Sequence, residues 1–291
     1  MQPLIEYRLE LAGYGTRALE LEGKGPPIIL LHGFGDSADT WRLTLDRLAR
    51  RDRRAIALDL PGFGAASRLL RDAPVLPQLD AFGAAAVQHV AAEQGAKAMV
   101  VGNSLGGAVA LRLGERSGLL PLAGVVPVAP AGLDMPRWFA AVERDRLVRA
   151  LLSAPVPIPE RVVRGTVGEV YRRLAFARPR DITADVVRSF TDHHRDRRAV
   201  RRLLATGRRL LPELADSPFS LDDVGCPVLL VWGDRDHMVT HRGARHIVEA
   251  LPGTSYALLE GCGHCPQVEE PDRFVELLLD FARAPRAKLA S

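Results

Sequence analysis

Residues 98–107 read AMVVGNSLGG, and the helix-like run AVALRLGE begins at once after them, at Ala108. An apolar, β-branched run breaks into Gly102-Asn103-Ser104-Leu105-Gly106-Gly107 and re-forms at once as a small-residue helix. That pattern describes a strand, a tight turn and a helix packed back against the strand. The turn strains the backbone at Ser104, and a side chain at Gly102 or Gly106 would stand between strand and helix. The same geometry lifts the Ser104 hydroxyl clear of the backbone toward a base, which a serine needs because its hydroxyl is a poor nucleophile at neutral pH. A G-x-S-x-G string alone is common, so its companions carry the argument.

Residues 26–35, PPIILLHGFG, read as a buried-type strand that runs into His32-Gly33-Phe34-Gly35. There glycines let a backbone N–H point into a cavity, and Phe34 is the expected donor. Leu105, at the start of the helix after Ser104, supplies the second N–H of an oxyanion hole. Two further apolar strands end in candidate acids and a base: VLLVWGDRD (228–236) carries Asp234 and Asp236, and YALLEGCGHCP (256–266) carries His264. Asp134, after the strand that follows the serine helix, is a remote third acid. His237 is a rival base, but adjacent to Asp236 its ring is badly placed to stand between that carboxylate and Ser104. His32 reads as a scaffold histidine bracing its loop. His193 and His194, in the polar stretch TDHHRDRR, read as solvated.

The rest of the chain alternates. IEYRLELAG and TRALELEG have period two around Gly13 to Gly15 and predict an antiparallel hairpin. Gly13, Gly15 and Ala18 match a dinucleotide-binding spacing, but a strand follows them where that motif requires a helix. Residues 37–51 and 77–94 predict helices, and AIALDL (55–60) and LAGVVPVAP (122–130) predict strands. Strands alternating with helices predict an α/β fold with a mostly parallel sheet covered on both faces. The rhythm stops after Gly132: from Asp134 to Asp216 no strand is evident, and the segment is helix-like and proline-punctuated. Between Arg137 and Arg209 stand 18 Arg, no Lys and 8 acidic residues, a balance of +10 within a chain of net +4. An anionic substrate, an acidic partner or a lipid surface would answer that charge. So would plain solvation of helical faces in a chain with few lysines, and charge runs are usually solvated surface.

HGFG, DLPGFG (59–64), GNSLGG, WGDRDHMV (232–239) and GCGHCPQVEEPDRF (261–274), in this order and each at a strand end, resemble the α/β-hydrolase superfamily over nearly the whole chain except its middle third. The resemblance implies Ser104 as nucleophile, Asp236 as the acid orienting His264, His264 as base, and Phe34 and Leu105 as oxyanion donors; Ser…Asp…His is that superfamily's order. It also implies a helical cap inserted before the strand bearing Asp236. The expected organisation is therefore a core of residues 1–133 and 217–291 and a cap of 134–216. Substrate is not implied, since this fold hosts many chemistries. Pocket candidates are Trp138, Phe139, Phe190, Met238, Val239 and Cys265, mostly apolar. They suit a small-molecule ester with an apolar part, cleaved by a carboxylesterase or small lipase. Carbon-carbon hydrolases of ring-opened aromatics also show a GNS elbow. They usually carry tryptophan after the catalytic histidine and an arginine in the lid, where this chain has Cys265 and, near the aligned position, Phe190. A ligand-binding member that keeps the triad without turnover is the third possibility.

Composition narrows the remainder. At 291 residues and 47% hydrophobic, the chain suits one α/β domain with an insertion. No apolar run reaches the ~18 residues of a membrane span, and the N-terminus lacks a signal-peptide pattern, so a cytoplasmic protein without integral membrane association is expected. No nucleic-acid module accompanies the basic segment, so nucleic acid is not an expected partner. Three cysteines make no disulfide framework. Cys262 and Cys265 form C-x-x-C around His264, but no second ligand pair exists, so neither metal nor cofactor is expected.

Overall fold

The computed structural model describes residues 3–135, 142, 144, 148, 149, 159–216 and 218–283. One eight-stranded sheet runs in the order β1-β2-β4-β3-β5-β6-β7-β8. Its strands are β1 (Ile5–Leu11), β2 (Tyr14–Leu21), β3 (Lys24–Leu31), β4 (Arg53–Leu58), β5 (Ala98–Asn103), β6 (Leu122–Val128), β7 (Leu229–Gly233) and β8 (Ser255–Leu259). The β1–β2 and β2–β4 pairs are antiparallel and the others parallel. The hairpin is where the period-two pattern places it, with Leu11 opposite Tyr14.

The central strands are buried on both sides, which explains why they read as unbroken apolar runs. Along β3 the faces separate residue by residue. Ile28 and Leu30 join a cluster with Trp41, Leu45, Phe274 and Leu278, the inward faces of α1 (Arg42–Arg50) and a C-terminal helix at Pro271–Arg283. Ile29 and Leu31 join the opposite cluster, with α2 (Val75–Gln94) and α3 (Leu105–Gly114). The expected helix at 37–51 opens as a 3-10 turn, Ala38–Trp41, because Ser37 accepts the N–H of Asp39.

Among the described residues, the segment between β6 and β7 is helical: α4 (Glu160–Ala175), α5 (Ala184–Thr191) and α6 (Arg197–Ala215). Its described arginines are exposed or half-buried, while Val163, Leu204, Leu210 and Leu214 are buried. Thr183 caps α5 and Asp196 caps α6, the latter accepting the Ala199 N–H at 2.7 Å. Two anchors tie the segment to the core. Glu213 of α6 accepts the Val75 and Leu76 N–H groups at 2.7 and 2.8 Å, capping α2, whose own N-cap Pro74 has no side-chain acceptor. Arg209 donates to the carbonyls of Leu70 and Ala73. Beyond β7 lie α7 (Ala244–Ala250), α8 (Pro266–Glu269) and α9 (Pro271–Arg283).

Candidate active site

Ser104 sits between β5 and α3 at φ +55°, ψ −113°, in the left-handed region that side chains avoid. The two glycines around it explain how so sharp a turn closes. A Cβ at Gly102 would collide with the Gly106 carbonyl, and one at Gly106 with the Leu31 carbonyl. The strain is held by neighbours: the Ser104 N–H donates to Val128 at 2.8 Å, and its carbonyl accepts from Ala108 and Ala131. Leu105 opens α3, so its N–H is one of the first-turn donors that lack an intrahelical acceptor. The His32-Gly33-Phe34 loop passes beside the serine, since a Cβ at Gly33 would stand 3.2 Å from Ser104 Cβ.

His264 and Asp236 are brought together. Nδ1 of His264 lies 2.7 Å from Asp236 Oδ2, with side chains 2% and 0% exposed. The other carboxylate oxygen accepts the N–H groups of Met238 and Val239 at 2.8 and 3.0 Å. Asp236 is thus fixed by backbone on one oxygen and presents the second to the ring. A carboxylate acceptor at Nδ1 puts the ring proton there and leaves Nε2 as the basic nitrogen. Nε2 is buried and makes no hydrogen bond among the described residues, including with Ser104.

The rival residues go elsewhere. Asp234 accepts the Gly261 and Cys262 N–H groups, bracing the loop ahead of the histidine. Asp134 faces His246 at 3.8 Å. His32 receives the Leu60 N–H on Nε2 and makes a 2.8 Å contact from Nδ1 to the Gly33 carbonyl; burial lowers its pKa to about 4 and keeps it neutral. His193 and His194 correct the sequence expectation. His194 is buried and His193 half-buried: His194 is 7% exposed, its Nε2 lies 2.7 Å from the Gly35 carbonyl, and burial lowers the pKa of both rings. The polar letters around them hid that α5 turns back onto the core at this point.

The pocket residues divide between two chambers. Val239 lines one with Ser104, Phe190 lines the other, and Met238 lines both. Trp138 and Phe139 lie outside the described residues. Cys265 is wholly buried and lines neither chamber; its Sγ lies 3.9 Å from the Tyr171 hydroxyl and 3.8 Å from Asn103 Oδ1. Burial pushes the thiols of Cys262 and Cys265 up, so both are un-ionised, packed groups. Tyr171 and the buried carboxyl of Asp36 are likewise pushed up by burial.

Two residues unnoticed in the sequence hold the base loop. Asn103 donates to the His264 carbonyl at 2.9 Å, tying the serine turn to the histidine loop. Glu269 accepts the Gly263 N–H at 2.6 Å, Ala177 at 2.9 Å and Arg178 at 3.3 Å, while the His264 N–H donates to Ala175 at 2.8 Å. The end of α4 is therefore part of the histidine's support. Asn103 stands beside the serine and could have been asked about; Glu269, five residues after His264, has no spacing signal.

Residues 28–277 match the family model for the alpha/beta hydrolase family. The chain belongs to that family. Relatives of this hydrolase include a pimeloyl-[acyl-carrier protein] methyl ester esterase from Vibrio atlanticus, 27% identical and covering 90% of this chain and 96% of that protein. Another is a 2-hydroxy-6-oxononadienedioate/2-hydroxy-6-oxononatrienedioate hydrolase from Paraburkholderia phymatum, 27% identical over 87% of this chain and 86% of that one. The 2-hydroxy-6-oxo-6-phenylhexa-2,4-dienoate hydrolase of a Rhodococcus species shares the fold, with a TM-score of 0.76 at 23% identity over 98% and 100% of the two chains. No helix among the described residues of this hydrolase is long and apolar enough to cross a membrane.

Proposed function

We propose that this hydrolase cleaves carboxylic esters through an acyl-enzyme on Ser104. The observation that carries the reading is the Asp236–His264 pair. One ring nitrogen is committed to a backbone-anchored carboxylate, and the other is buried without a partner, in a fold whose strained turn presents Ser104. His264 Nε2 takes the Ser104 proton as Oγ attacks the ester carbonyl, and the N–H groups of Phe34 and Leu105 receive the oxyanion. The imidazolium returns that proton to the alkoxide as the C–O bond breaks. Water then attacks the acyl-enzyme by the same route, releasing the carboxylic acid and restoring Ser104. We take residues 134–216 as a cap that excludes water from these steps, since α6 supplies walls to both chambers and α4 and α5 wall the larger one.

A second reading, cleavage of carbon-carbon bonds in ring-opened aromatics, draws support from the Paraburkholderia relative. Against it, Phe190 is buried and stacked on Tyr171 at 4.5 Å near the position expected of a lid arginine, and Cys265 replaces the tryptophan. Turnover of p-nitrophenyl esters, beside a ring-opened dienoate, separates the readings. The ester reading predicts multiple ester turnovers, labelling of Ser104 by a fluorophosphonate, and loss of both in Ser104→Ala. Tight stoichiometric ligand binding without turnover would leave a binding protein instead.

A further inference from the structure

Phe34 and Met238 stand in the walls of both chambers and so form the partition between them. The smaller chamber, about 30 Å³, has Ser104 and Leu105 in its wall and is completed by Leu210, Leu211 and Leu214 of α6. The larger, about 100 Å³, is bounded by Tyr171 and Leu174 of α4 and Phe190 of α5. An ester has two arms, and each must go somewhere. The alkoxy oxygen has to face His264, because that ring returns the proton as the C–O bond breaks. The larger chamber is the one built on the base's own support. Ala175, next to Leu174, holds the His264 N–H, and Tyr171 reaches Cys265 beside it. The smaller chamber holds the nucleophile and an oxyanion donor, and no α4 residue lines it among the described residues.

From this arrangement we propose that the smaller chamber receives the acyl group and the larger one the alcohol. The substrate is then a short-acyl ester of an apolar alcohol about the size of one ring. The inference rests on the ester reading above and sharpens it. At about 30 Å³ the smaller chamber exceeds the ~10–15 Å³ that admits one water and takes a short alkyl group such as methyl or ethyl. An apolar cavity of ~150 Å³ admits benzene, so the larger chamber is on the scale of a branched alkyl group or, with small side-chain shifts, a ring. No Lys, Arg, Asp or Glu lines either chamber among the described residues, so a carboxylate on either arm would be buried without a partner.

Two ester series on the full-length protein test the assignment. In p-nitrophenyl acetate, butyrate and octanoate, kcat/KM should fall at least about tenfold from acetate to octanoate; in ethyl, benzyl and dodecyl acetate it should peak at benzyl. Leu210→Ala, which enlarges the smaller chamber, should raise the octanoate-to-acetate ratio by about tenfold. Val170→Phe, which fills the larger, should lower the benzyl-to-ethyl ratio by a similar factor. Leu211→Ala replaces the first variant if that one does not fold. Octanoate favoured over acetate, or each variant altering the other series, overturns the assignment while leaving the ester reading intact. Failure of Ser104 to react with a fluorophosphonate, together with no turnover in either series, removes both.

Discussion

Ser104 and His264 are placed in opposite ways. The serine is set by its own strand, turn and helix, with two glycines that let backbone meet backbone. The histidine depends on distant partners: Asp236, 28 residues before it, Asn103, 161 residues before it, and the end of α4 through Ala175 and Glu269. A locally built element is rigid because its geometry leaves no alternative. A loop built at long range is correct only while all its supports are docked. The helical segment between β6 and β7 is therefore structurally part of the positioning of His264 as well as a wall of the chambers.

The largest effect that could break this contrast is at the serine turn. Gly102→Ala puts a methyl into the Gly106 carbonyl, where backbone cannot yield. Loss of about 4 kcal/mol or more is expected, of the kind seen for severe overpacking. Urea unfolding should show little or no folded protein; a well-folded, active Gly102→Ala would mean the turn is not locally determined.

At the histidine loop the expectation is a functional loss larger than the structural one. Glu269→Ala leaves three backbone N–H groups without an acceptor, and each hydrogen bond to a charged group is worth about 1.5–3 kcal/mol. Folding should survive with a lowered Tm, while kcat falls by about tenfold or more and KM changes little. Glu213→Ala is the control. It removes the cap of α2, costs about 1 kcal/mol, and should leave kcat within about twofold. If the two variants lose kcat in proportion to their Tm, the Glu269 carboxylate is scaffold only.

These contrasts also explain what could be read from the letters. The sheet, the hairpin and the serine turn were legible because period, glycine spacing and contiguous motifs record local geometry. The Asp236 and His264 positions were legible through motif order and resemblance, and the structure brings the two side chains together. The burial of His193 and His194 was not legible, because it depends on α5 docking against Gly35, which no local pattern encodes. Glu269 was illegible for the same reason: its partners Ala177 and Arg178, just past the end of α4, are about 90 residues away in sequence.

Burial of His32 gives a smaller, pH-dependent effect. Its folded pKa of about 4 lies below the unfolded value near 6.5, so the unfolded chain binds more protons between those limits. The associated stability is complete above about pH 6.5 and declines as pH falls toward 4, by about 2 kcal/mol at pH 5. His32→Gln should lose stability at pH 7.5 through its broken bond to Leu60, yet lose about 2 kcal/mol less than the parent between pH 7.5 and 5. Parallel stability profiles for the two proteins would show that His32 titrates normally.

The smallest expected effect concerns the cap's charge. Its +10 balance invites steering of anionic substrates, but several of its arginines are paired with nearby carboxylates. Arg164 pairs with Asp192 at 2.9 Å, Arg173 with Glu169 and Arg178 with Glu270 at 2.6 Å each, and Arg188 with Asp185. Neither chamber has a cation among its described lining residues. Local pairing leaves a diffuse field, and salt near 0.15 M screens it beyond about 8 Å. We expect kcat/KM for an ester bearing a remote carboxylate to change with salt, between about 0.02 and 0.5 M, by no more than about twofold relative to its neutral isostere, with kcat unaffected. A carboxylate-specific advantage that collapses as salt rises would give the arginines a steering role. It would also separate the cap's two faces, with the inner surface selecting the neutral arms and the outer one gathering the anion.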